Sequence, residues 1–319
     1  MHDLIAKTFV GALNNPILNT TDDSAVFELK GRIAFTTDSY VVNPIFFPGG
    51  DIGRLAVCGT VNDLSTTGAT PRYLSLSFII EEGLLIADLE RIVDSIRQAA
   101  LEAGVIVVTG DTKVVNRGGA DRIFVNTSGV GIIPEGANIS GSNARAGDII
   151  IVSGTIGDHG IAIMSQREGL KFGTAVPSDC APLNGLVADM LAVSSNIHCL
   201  RDPTRGGLAT TLNEIAQQSR IGMRIDEGTV PVNRTVLSAC EMLGFDPLYV
   251  ANEGKMVSVV APQDAEEVLA AMKRNRYGSQ AAIIGEVRSE HPGRVVMKTR
   301  LGASRIVDVL VGELLPRIC

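Results

Sequence analysis

The chain contains 319 residues, of which 45% are hydrophobic and 20% charged, so its length and composition suit two domains with sizeable cores. Its formal net charge of −7 and the lack of a basic stripe argue against a general nucleic-acid-binding surface. The sequence has no run of 18 apolar residues and no basic segment followed by an apolar run, so we expect neither a membrane span nor a secretion signal, and a cytoplasmic location.

Strands and helices alternate in the first part of the chain, which predicts an α/β (α+β) fold. Residues 87–103 carry apolar side chains at the spacing of one helical face. Gly104 follows them, where a helix C-cap glycine belongs. Apolar runs predict strands at residues 32–37, 74–80, 105–109 and 123–133.

A stretch rich in Pro, Gly, Asn and Ser at residues 134–147 predicts a domain boundary. We expect an N-terminal domain over residues 1–146, a C-terminal domain over 147–313, and a mobile tail over 314–319. Strands are predicted at residues 148–153, 256–261, 282–287, 295–298 and 306–309. Helices are predicted at residues 159–166, 183–194, 208–218, 236–243 and 265–273.

Five acidic motifs are spread over the chain, and two of them follow predicted strands. Asp38 and Asp111 stand after apolar runs, and strand ends are where ligand-binding groups converge in α/β sheets. The other motifs contain Asp23, Asp63 and Asp202. Mg²⁺ carried by a nucleoside triphosphate is held by carboxylates, phosphates and water, so aspartates on different loops suit such an ion. Each aspartate taken alone is better explained as a turn or helix-capping residue, and only the set of five favours a metal site.

The common nucleotide-binding motifs are absent, since neither GxxxxGK[ST] nor a GxGxxG between a strand and a helix occurs. Lys113, two residues after Asp111, could move a proton or stabilise an anion, and so could Glu253. The alternative for both side chains is a surface salt bridge. His159 stands at the start of a predicted helix, where capping or packing is the favoured interpretation.

The five cysteines form no CxxC pair, which argues against the common zinc and redox motifs. Four of them lie in or beside apolar stretches and are expected to be buried: Cys58, Cys180, Cys199 and Cys240. The last residue, Cys319, has no packing reason to be a cysteine, and its own α-carboxylate disfavours the thiolate. Its position alone leaves two interpretations, a working thiol and a frayed chain end.

Several strings together resemble the HypE family of hydrogenase maturation factors over essentially the whole chain. They are FTTDSYV at 35–41, FFPGG at 46–50, GTVND at 59–63, VTGDTKV at 108–114, GDHG at 157–160, NEGK at 252–255 and PRIC at 316–319. The family is similar to the aminoimidazole ribonucleotide synthetase (PurM-like) superfamily. The resemblance implies a two-domain subunit whose N-terminal sheet pairs with that of a second copy into a barrel, with ATP and Mg²⁺ bound nearby.

The reaction implied by the resemblance is an ATP-dependent dehydration. A carbamoyltransferase, HypF, would place a carbamoyl group on Cys319, and phosphorylation of the carboxamide oxygen would allow loss of phosphate to leave a thiocyanate. The cyano group would pass to iron held by a HypC–HypD complex during [NiFe] hydrogenase maturation.

The resemblance also implies roles for the candidate residues. Metal binding falls to Asp23, Asp38, Asp63 and Asp202, and nucleotide binding to Asp38, Asp63, Asp111 and Lys113. The implied catalytic residues are Cys319, Lys113 and Glu253, with either Lys113 or Glu253 as the proton acceptor. Family members carry a HGxGG segment ahead of the position of Met1, so we expect weaker contact with the phosphates or a shortened chain.

Two other functions are compatible with these features. A purine-pathway ligase, or a kinase related to selenide or thiamine phosphate, keeps the superfamily but has no use for a terminal thiol. A non-catalytic carrier would use the thiol but turn over no ATP.

Overall fold

A computed structural model describes residues 5–20, 24–169, 176–309 and 318 of the chain. Two β-sheets organise these residues, one of four strands between residues 32 and 133 and one of seven strands between residues 149 and 307. Each sheet has helices packed beside it, which confirms the predicted mixed α/β architecture.

The four-stranded sheet contains both parallel and antiparallel neighbours. Its strands are β1 (Arg32–Tyr40), β4 (Thr70–Glu81), β5 (Ile106–Val115) and β6 (Ile123–Ile133), and a small hairpin of β2 (Phe46–Phe47) and β3 (Gly50–Asp51) lies between β1 and β4 in the chain. The order across the sheet is β1-β6-β4-β5, with β4 and β5 parallel and the other pairs antiparallel. Thus β1 and β5 form opposite edges of the sheet.

Two helices, α1 (Ile52–Thr66) and α2 (Ile86–Ala103), accompany this sheet, and α1 packs on β1 and β6. The sequence analysis missed α1. Its N-terminus is capped by Asp51, whose carboxylate accepts the backbone N–H groups of Gly53 and Arg54. Because α1 is buried on nearly all sides between the sheet, α2 and the second domain, it lacks the polar face that produces a helical periodicity.

The seven-stranded sheet has the order β13-β12-β9-β11-β7-β10-β8, and only β9 and β12 are parallel. Its strands are β7 (Ile149–Val152), β8 (Ile197–Arg201), β9 (Gly222–Asp226), β10 (Val257–Val260), β11 (Ala282–Arg288), β12 (Val295–Lys298) and β13 (Ser304–Val307). The helices of this part are α3 (Asp158–Arg167), α4 (Asn184–Leu191), α5 (Gly207–Ser219), α6 (Arg234–Leu243) and α7 (Ala265–Arg274). All five predicted helices of this part are present, whereas β8 and β9 were missed.

Several N-terminal predictions are confirmed closely. The predicted strand at 123–133 matches β6, the predicted helix at 87–103 matches α2, and Gly104 caps that helix with φ +69°. The strands predicted at 32–37 and 105–109 are present but longer. Within the described part of the chain, no helix is both long and apolar enough to cross a bilayer.

Asn62 joins α1 to the second domain. Its amide donates to the carbonyl of Ala181 at 3.0 Å, and its Oδ1 accepts the backbone N–H of Leu183 at 2.8 Å. Because Asn62 is almost completely buried, these bonds fix the end of α1 against the loop before α4. The neighbouring residue Asp63 is therefore held at the boundary between the two domains.

Candidate functional site

Three of the aspartates predicted to bind metal come together at this boundary. Asp63 lies in the last turn of α1, Asp202 directly follows β8, and Asp38 lies on β1. Asp63 and Asp202 line a cleft of about 400 Å³ together with Thr36 and Arg201. Thr36 Oγ1 donates a hydrogen bond to Asp63 Oδ2 at 2.9 Å. Asp38 is near enough to repel the charges of both Asp63 and Asp202.

The prediction that Asp38 and Asp111 follow strands is wrong, because both lie inside strands. The antiparallel ladder continues past Asp38, which is opposite Thr127, as far as Tyr40. Asp111 is opposite Ser77 in the parallel pair of β4 and β5. Backbone hydrogen bonding extends these strands through polar residues that an apolar run does not include.

The cleft carboxylates are destabilised in their charged forms. Burial raises the pKa of Asp202 to about 7, with repulsion from Asp63 as the next cause. Burial also raises the pKa of Asp63, and Asp38 adds to this shift. The nearby Arg201 opposes both shifts but does not cancel them. The cleft therefore has an excess of negative charge that a bound cation would neutralise.

The donor set fits a cation that brings part of its own coordination shell. Within the described ranges, no group of three or more His, Cys, Asp or Glu residues is placed to hold a metal ion on its own. Mg²⁺ usually takes only one or two protein carboxylates and completes its shell with phosphate oxygens and water. Oxygen ligands from Asp63 and Asp202, with Asp38 beside them, agree with that mode.

Glu253 is a buried carboxylate that lies next to this cleft. The residue is only 3% exposed, and its Oε1 has no hydrogen-bond partner. Burial raises its pKa well above the usual value, and the charges of Asp202 and Asp179 raise it further. Its backbone N–H donates to Asp179 Oδ1 at 3.0 Å. A buried carboxylate with a raised pKa thus lies near Asp202 and Asp38.

Lys113 and Asp111 lie elsewhere in the subunit. Lys113 Nζ is 2.8 Å from Asp111 Oδ2, and both side chains are more than 60% exposed. They belong to edge strand β5, whereas Asp38 is on the opposite edge, three strand spacings or roughly 14 Å away. The register also places Asp111 on the sheet face of Ser77 and Ser39, and Asp38 on the other face, which is covered by α1. One subunit does not bring Lys113 to Glu253.

A buried ionic group that the sequence analysis missed holds the segment around Glu253. Lys255 Nζ lies 3.0 Å from Asp179 Oδ2 and 4.0 Å from Asp158 Oδ2. Asn252 Oδ1 accepts the backbone N–H of Gly157 at 2.7 Å. The NEGK and GDHG strings were noticed in the sequence, but their contact with each other depends on the tertiary fold.

His159 contacts the penultimate residue of the chain. The ring is fully buried, so of the two interpretations, capping and packing, the structure supports packing. Its Nε2 lies 2.5 Å from the carbonyl oxygen of Ile318, and its Nδ1 lies 2.8 Å from Ser178 Oγ. Ile318 is 6% exposed, and its side chain belongs to the apolar core cluster of the N-terminal domain.

Two predicted site residues, Asp23 and Cys319, lie outside the described residues. The other four cysteines, Cys58, Cys180, Cys199 and Cys240, are buried and unbridged, as predicted.

Comparison with known proteins identifies both halves of the fold. Residues 21–133 match the model of the AIR synthase related protein N-terminal domain, and residues 145–298 match that of the corresponding C-terminal domain.

Full-length relatives narrow the family further. The carbamoyl dehydratase HypE of Rhizobium leguminosarum bv. viciae is 55% identical over 321 residues, which cover 100% of this chain and 92% of the relative. The crystal structure of a hydrogenase maturation protein HypE in complex with ATP has a TM-score of 0.97 and 52% identity, covering 100% of this chain and 96% of the other. A HypE–HypF complex contains a similar chain with a TM-score of 0.86 and 53% identity over 96% and 99% of the two chains. The two domains, the acidic cleft between them and these full-length similarities all indicate the same family. The chain belongs to the HypE family of carbamoyl dehydratases, which has the PurM-like fold.

Proposed function

We propose that this protein uses ATP to dehydrate an S-carbamoyl group on Cys319 to a thiocyanate, which supplies the cyanide ligand in [NiFe] hydrogenase maturation. The observation that carries the proposal is the buried, unpaired carboxylate of Glu253 beside the acidic cleft. Such a group suits a reaction in which a carboxamide nitrogen loses protons while its oxygen leaves as phosphate. The similarity to a HypE that binds ATP gives the nucleotide as co-substrate.

Asp63 and Asp202 would hold Mg²⁺, with Asp38 and Asp23 as further ligands. When bound, ATP would supply the phosphoryl group and Mg²⁺ would neutralise the negative charge of the phosphates. Charge neutralisation is the main requirement of in-line phosphoryl transfer. The chain's own contribution is to fix these carboxylates on different elements. Asn62 holds the end of α1, and the Thr36 hydroxyl orients Asp63 through its hydrogen bond to Oδ2.

Glu253 is the proton acceptor in this proposal. Its raised pKa makes the ionised carboxylate a stronger base towards the carboxamide nitrogen. The Asp179 carboxylate holds the Glu253 backbone, so the side chain approaches the cleft from a rigid segment. Lys113 binds the oxygen that becomes phosphorylated, because an exposed ammonium group suits an anion better than a buried acid does.

The position of Lys113 gives it this role only if a second copy of the chain contributes it. The uncovered sheet face carries Ile33, Phe35 and Ile79, which are between 42% and 69% exposed, together with Lys113. Exposed apolar residues on one face mark an interaction surface. Pairing of two such faces gives the homodimeric barrel expected of the superfamily. Lys113 and Asp111 of one copy then serve the nucleotide site of the other.

The partners follow from the family and from the position of the thiol. A HypF-type carbamoyltransferase would load Cys319, which agrees with the HypE–HypF complex of a similar chain. A HypC–HypD iron-carrying complex would receive the cyano group. We place this exchange in the cytoplasm, with residues 1–146, 147–313 and 314–319 acting as nucleotide and dimerisation domain, C-terminal domain and carrier tail.

Intact-mass measurement tests the reaction directly. Wild-type protein is incubated with a carbamoyl donor, the HypF-type partner and Mg-ATP, and compared with Cys319→Ala. We expect a carbamoyl adduct that loses one water on wild type only, with release of phosphate. An adduct that persists in Cys319→Ala, or a carbamoylated protein that never loses water, contradicts the proposal, and the second result favours a simple carrier.

Asp63→Asn tests the nucleotide site, because it removes the charge and keeps the volume and the Thr36 contact. We expect at least about a tenfold loss of Mg-ATP affinity, measured by calorimetry, since metal-bridged phosphates lose one charged ligand. Asp94→Asn, an exposed aspartate on α2, is the matched control and should bind normally. Equal affinity of the two variants would remove Asp63 from the site.

A further inference from the structure

We propose that His159 is a positioning residue that holds the penultimate carbonyl group of the chain, and so fixes Cys319 for dehydration. Only the expected effect on the rate of dehydration rests on the proposed function. Its structural basis is the contact between Nε2 of His159 and the carbonyl oxygen of Ile318 at 2.5 Å. These residues are 159 positions apart, so the contact belongs to the tertiary fold.

The hydrogen-bond partners determine which nitrogen of the ring carries the proton. A carbonyl oxygen only accepts, so Nε2 donates to Ile318 and must carry the hydrogen. In the neutral ring Nδ1 is then an acceptor, and it takes the hydroxyl hydrogen of Ser178 at 2.8 Å. Ser178 Oγ in turn accepts the backbone N–H of Cys180 at 3.1 Å. The Ile318 carbonyl thus sets the tautomer of His159, and the Ser178 hydroxyl, which can donate as well as accept, adapts to it and holds the ring at Nδ1.

The surroundings keep the ring neutral and in place. His159 is fully buried, and burial lowers its pKa despite the opposing effect of Asp179. The edge of the Phe47 ring meets it at a centroid distance of 5.5 Å. The backbone of the Ser178 loop is itself fixed, because the Ser178 N–H donates to the Pro48 carbonyl at 2.7 Å. In these rigid and buried surroundings, the hydrogen bond between His159 and Ile318 is restricted to one geometry.

Ile318 supplies an apolar anchor beside the polar one. Its side chain is 6% exposed and belongs to the core cluster of the N-terminal domain. The chain end is therefore held both by its carbonyl group and by its side chain. Cys319 directly follows Ile318 in the sequence, so a contact that holds Ile318 also limits the reach of the terminal thiol.

The same loop connects the chain end to the proposed proton acceptor. Ser178 binds His159, and the next residue, Asp179, accepts the backbone N–H of Glu253. Two consecutive residues, Ser178 and Asp179, thus hold His159, which binds the chain end, and Glu253, the proposed base.

Alkylation of Cys319 tests the contact without any reliance on the reaction. The four other cysteines are buried, so the rate of iodoacetamide labelling at pH 8 reports on Cys319, with Cys319→Ser as the background control. His159→Leu removes the donor, and we expect labelling at least about fivefold faster. His159→Gln retains an amide donor and should restore a rate near that of wild type. Unchanged labelling in His159→Leu would overturn the proposal.

Single-turnover measurements then separate positioning from a general structural effect. Protein loaded with the carbamoyl group is mixed with Mg-ATP, and we expect dehydration by His159→Leu to be at least about tenfold slower, while loading by the HypF-type partner is unchanged or faster. Equal slowing of both steps indicates a structural defect and contradicts the proposal. If dehydration fails in wild type but the labelling rates still differ, the contact stands and the proposed function is wrong.

Ser178→Ala keeps the test available if His159→Leu does not fold. It removes the hydroxyl group that hydrogen-bonds to Nδ1 of His159 and keeps the imidazole donor. We expect labelling faster than wild type and slower than that of a chain without the ring donor. Labelling identical to wild type in Ser178→Ala, with native thermal stability, overturns the proposal that a held His159 ring restrains the chain end.

Discussion

Glu253 is the buried side chain whose charge is least compensated at the site. Its Oε1 has no partner, and the charges that raise its pKa most, on Asp202 and Asp179, are of the same sign as its own. A carboxylate in this position destabilises the fold when it is ionised, and it is retained where its basicity is useful. At Glu253 the requirements of catalysis and of stability therefore conflict.

Glu253→Gln keeps the volume and removes the basic group. We expect dehydration to fall by at least about 100-fold, the usual contribution of a positioned base. Mg-ATP affinity and the thermal midpoint should not fall, because no ion pair with Glu253 is lost. Single-turnover mass measurements and calorimetry check this. A variant with low ATP affinity and normal turnover would assign Glu253 to nucleotide binding instead.

The buried ring of His159 makes stability depend on pH in a defined direction. Burial lowers its pKa in the folded state, so the unfolded chain binds a proton near pH 6.5 that the folded chain does not. The stability due to His159 is present above about pH 6.5 and is lost as the pH falls towards the lowered value, with a limiting slope of about 1.4 kcal/mol per pH unit.

Urea unfolding of wild type and His159→Gln at pH 7.5, 6.5 and 5.5 measures this contribution. The difference in free energy of unfolding between the two proteins should shrink as the pH falls, because Gln does not titrate. A difference that stays constant would mean that the folded ring binds protons as readily as the unfolded one.

Among the elements, α1 has the most demanding surroundings. It contacts β1, β6 and α2, and it carries Asn62 and Asp63 into the site. Its close approach to α2 depends on Gly53, where an added Cβ would lie 2.5 Å from the carbonyl oxygen of Ile92. The position of this helix therefore affects both the domain boundary and the proposed metal ligand Asp63.

Gly53→Ala should therefore force α1 away from α2. We expect a loss of about 1–3 kcal/mol in the free energy of unfolding, as for overpacked cores, together with weaker Mg-ATP binding. Gly185→Ala is the control, because Gly185 is also helical but has no atom within 4 Å of an added Cβ. That control should change stability by less than about 1 kcal/mol, in the stabilising direction. Equal effects would show that the two helices are not tightly packed at Gly53.

For the whole molecule, the main question is whether one subunit contains a complete site. Lys113 and Glu253 are on different sides of the N-terminal sheet, so the site as proposed is complete only when a second copy contributes Lys113. Neither Lys113→Ala nor Glu253→Gln alone should be active.

Mixing Lys113→Ala with Glu253→Gln tests the shared site, because half of the randomly formed dimers are mixed and each mixed dimer regains one intact site. We expect about a quarter of wild-type activity per subunit after exchange. Sedimentation of each variant checks that dimers form. If the mixture stays inactive although mixed dimers are present, Lys113 and Glu253 act within one subunit.

Elements with a clear amphipathic pattern could be predicted from the sequence. The apolar face of α2, its C-cap Gly104 and the strand β6 have local signals, and the structure agrees with them. The helix α1 gives no such signal because it is buried on nearly all sides, and charged or polar residues interrupt the apolar run in β8 (His198, Arg201) and in β9 (Arg224, Asp226). Hydrophobic periodicity exists only where an element has one wet and one dry side.

The sequence by itself determined the two-part α/β plan, the family and the candidate acids, because these depend on local patterns and motifs. Only the tertiary structure decided which candidates meet. It brings Asp38, Asp63 and Asp202 together, puts Glu253 beside them, and places Lys113 on the other face of the sheet.

His159 shows the same division. Its motif was visible in the sequence, but its role depends on contacts with Ser178 and Ile318, the latter from the far end of the chain. Long-range contacts of this kind are set by how whole elements pack, and the chain order of the residues does not encode them locally. The identity of the chemistry was therefore available from the sequence, whereas the assembly of the site was decided by the fold.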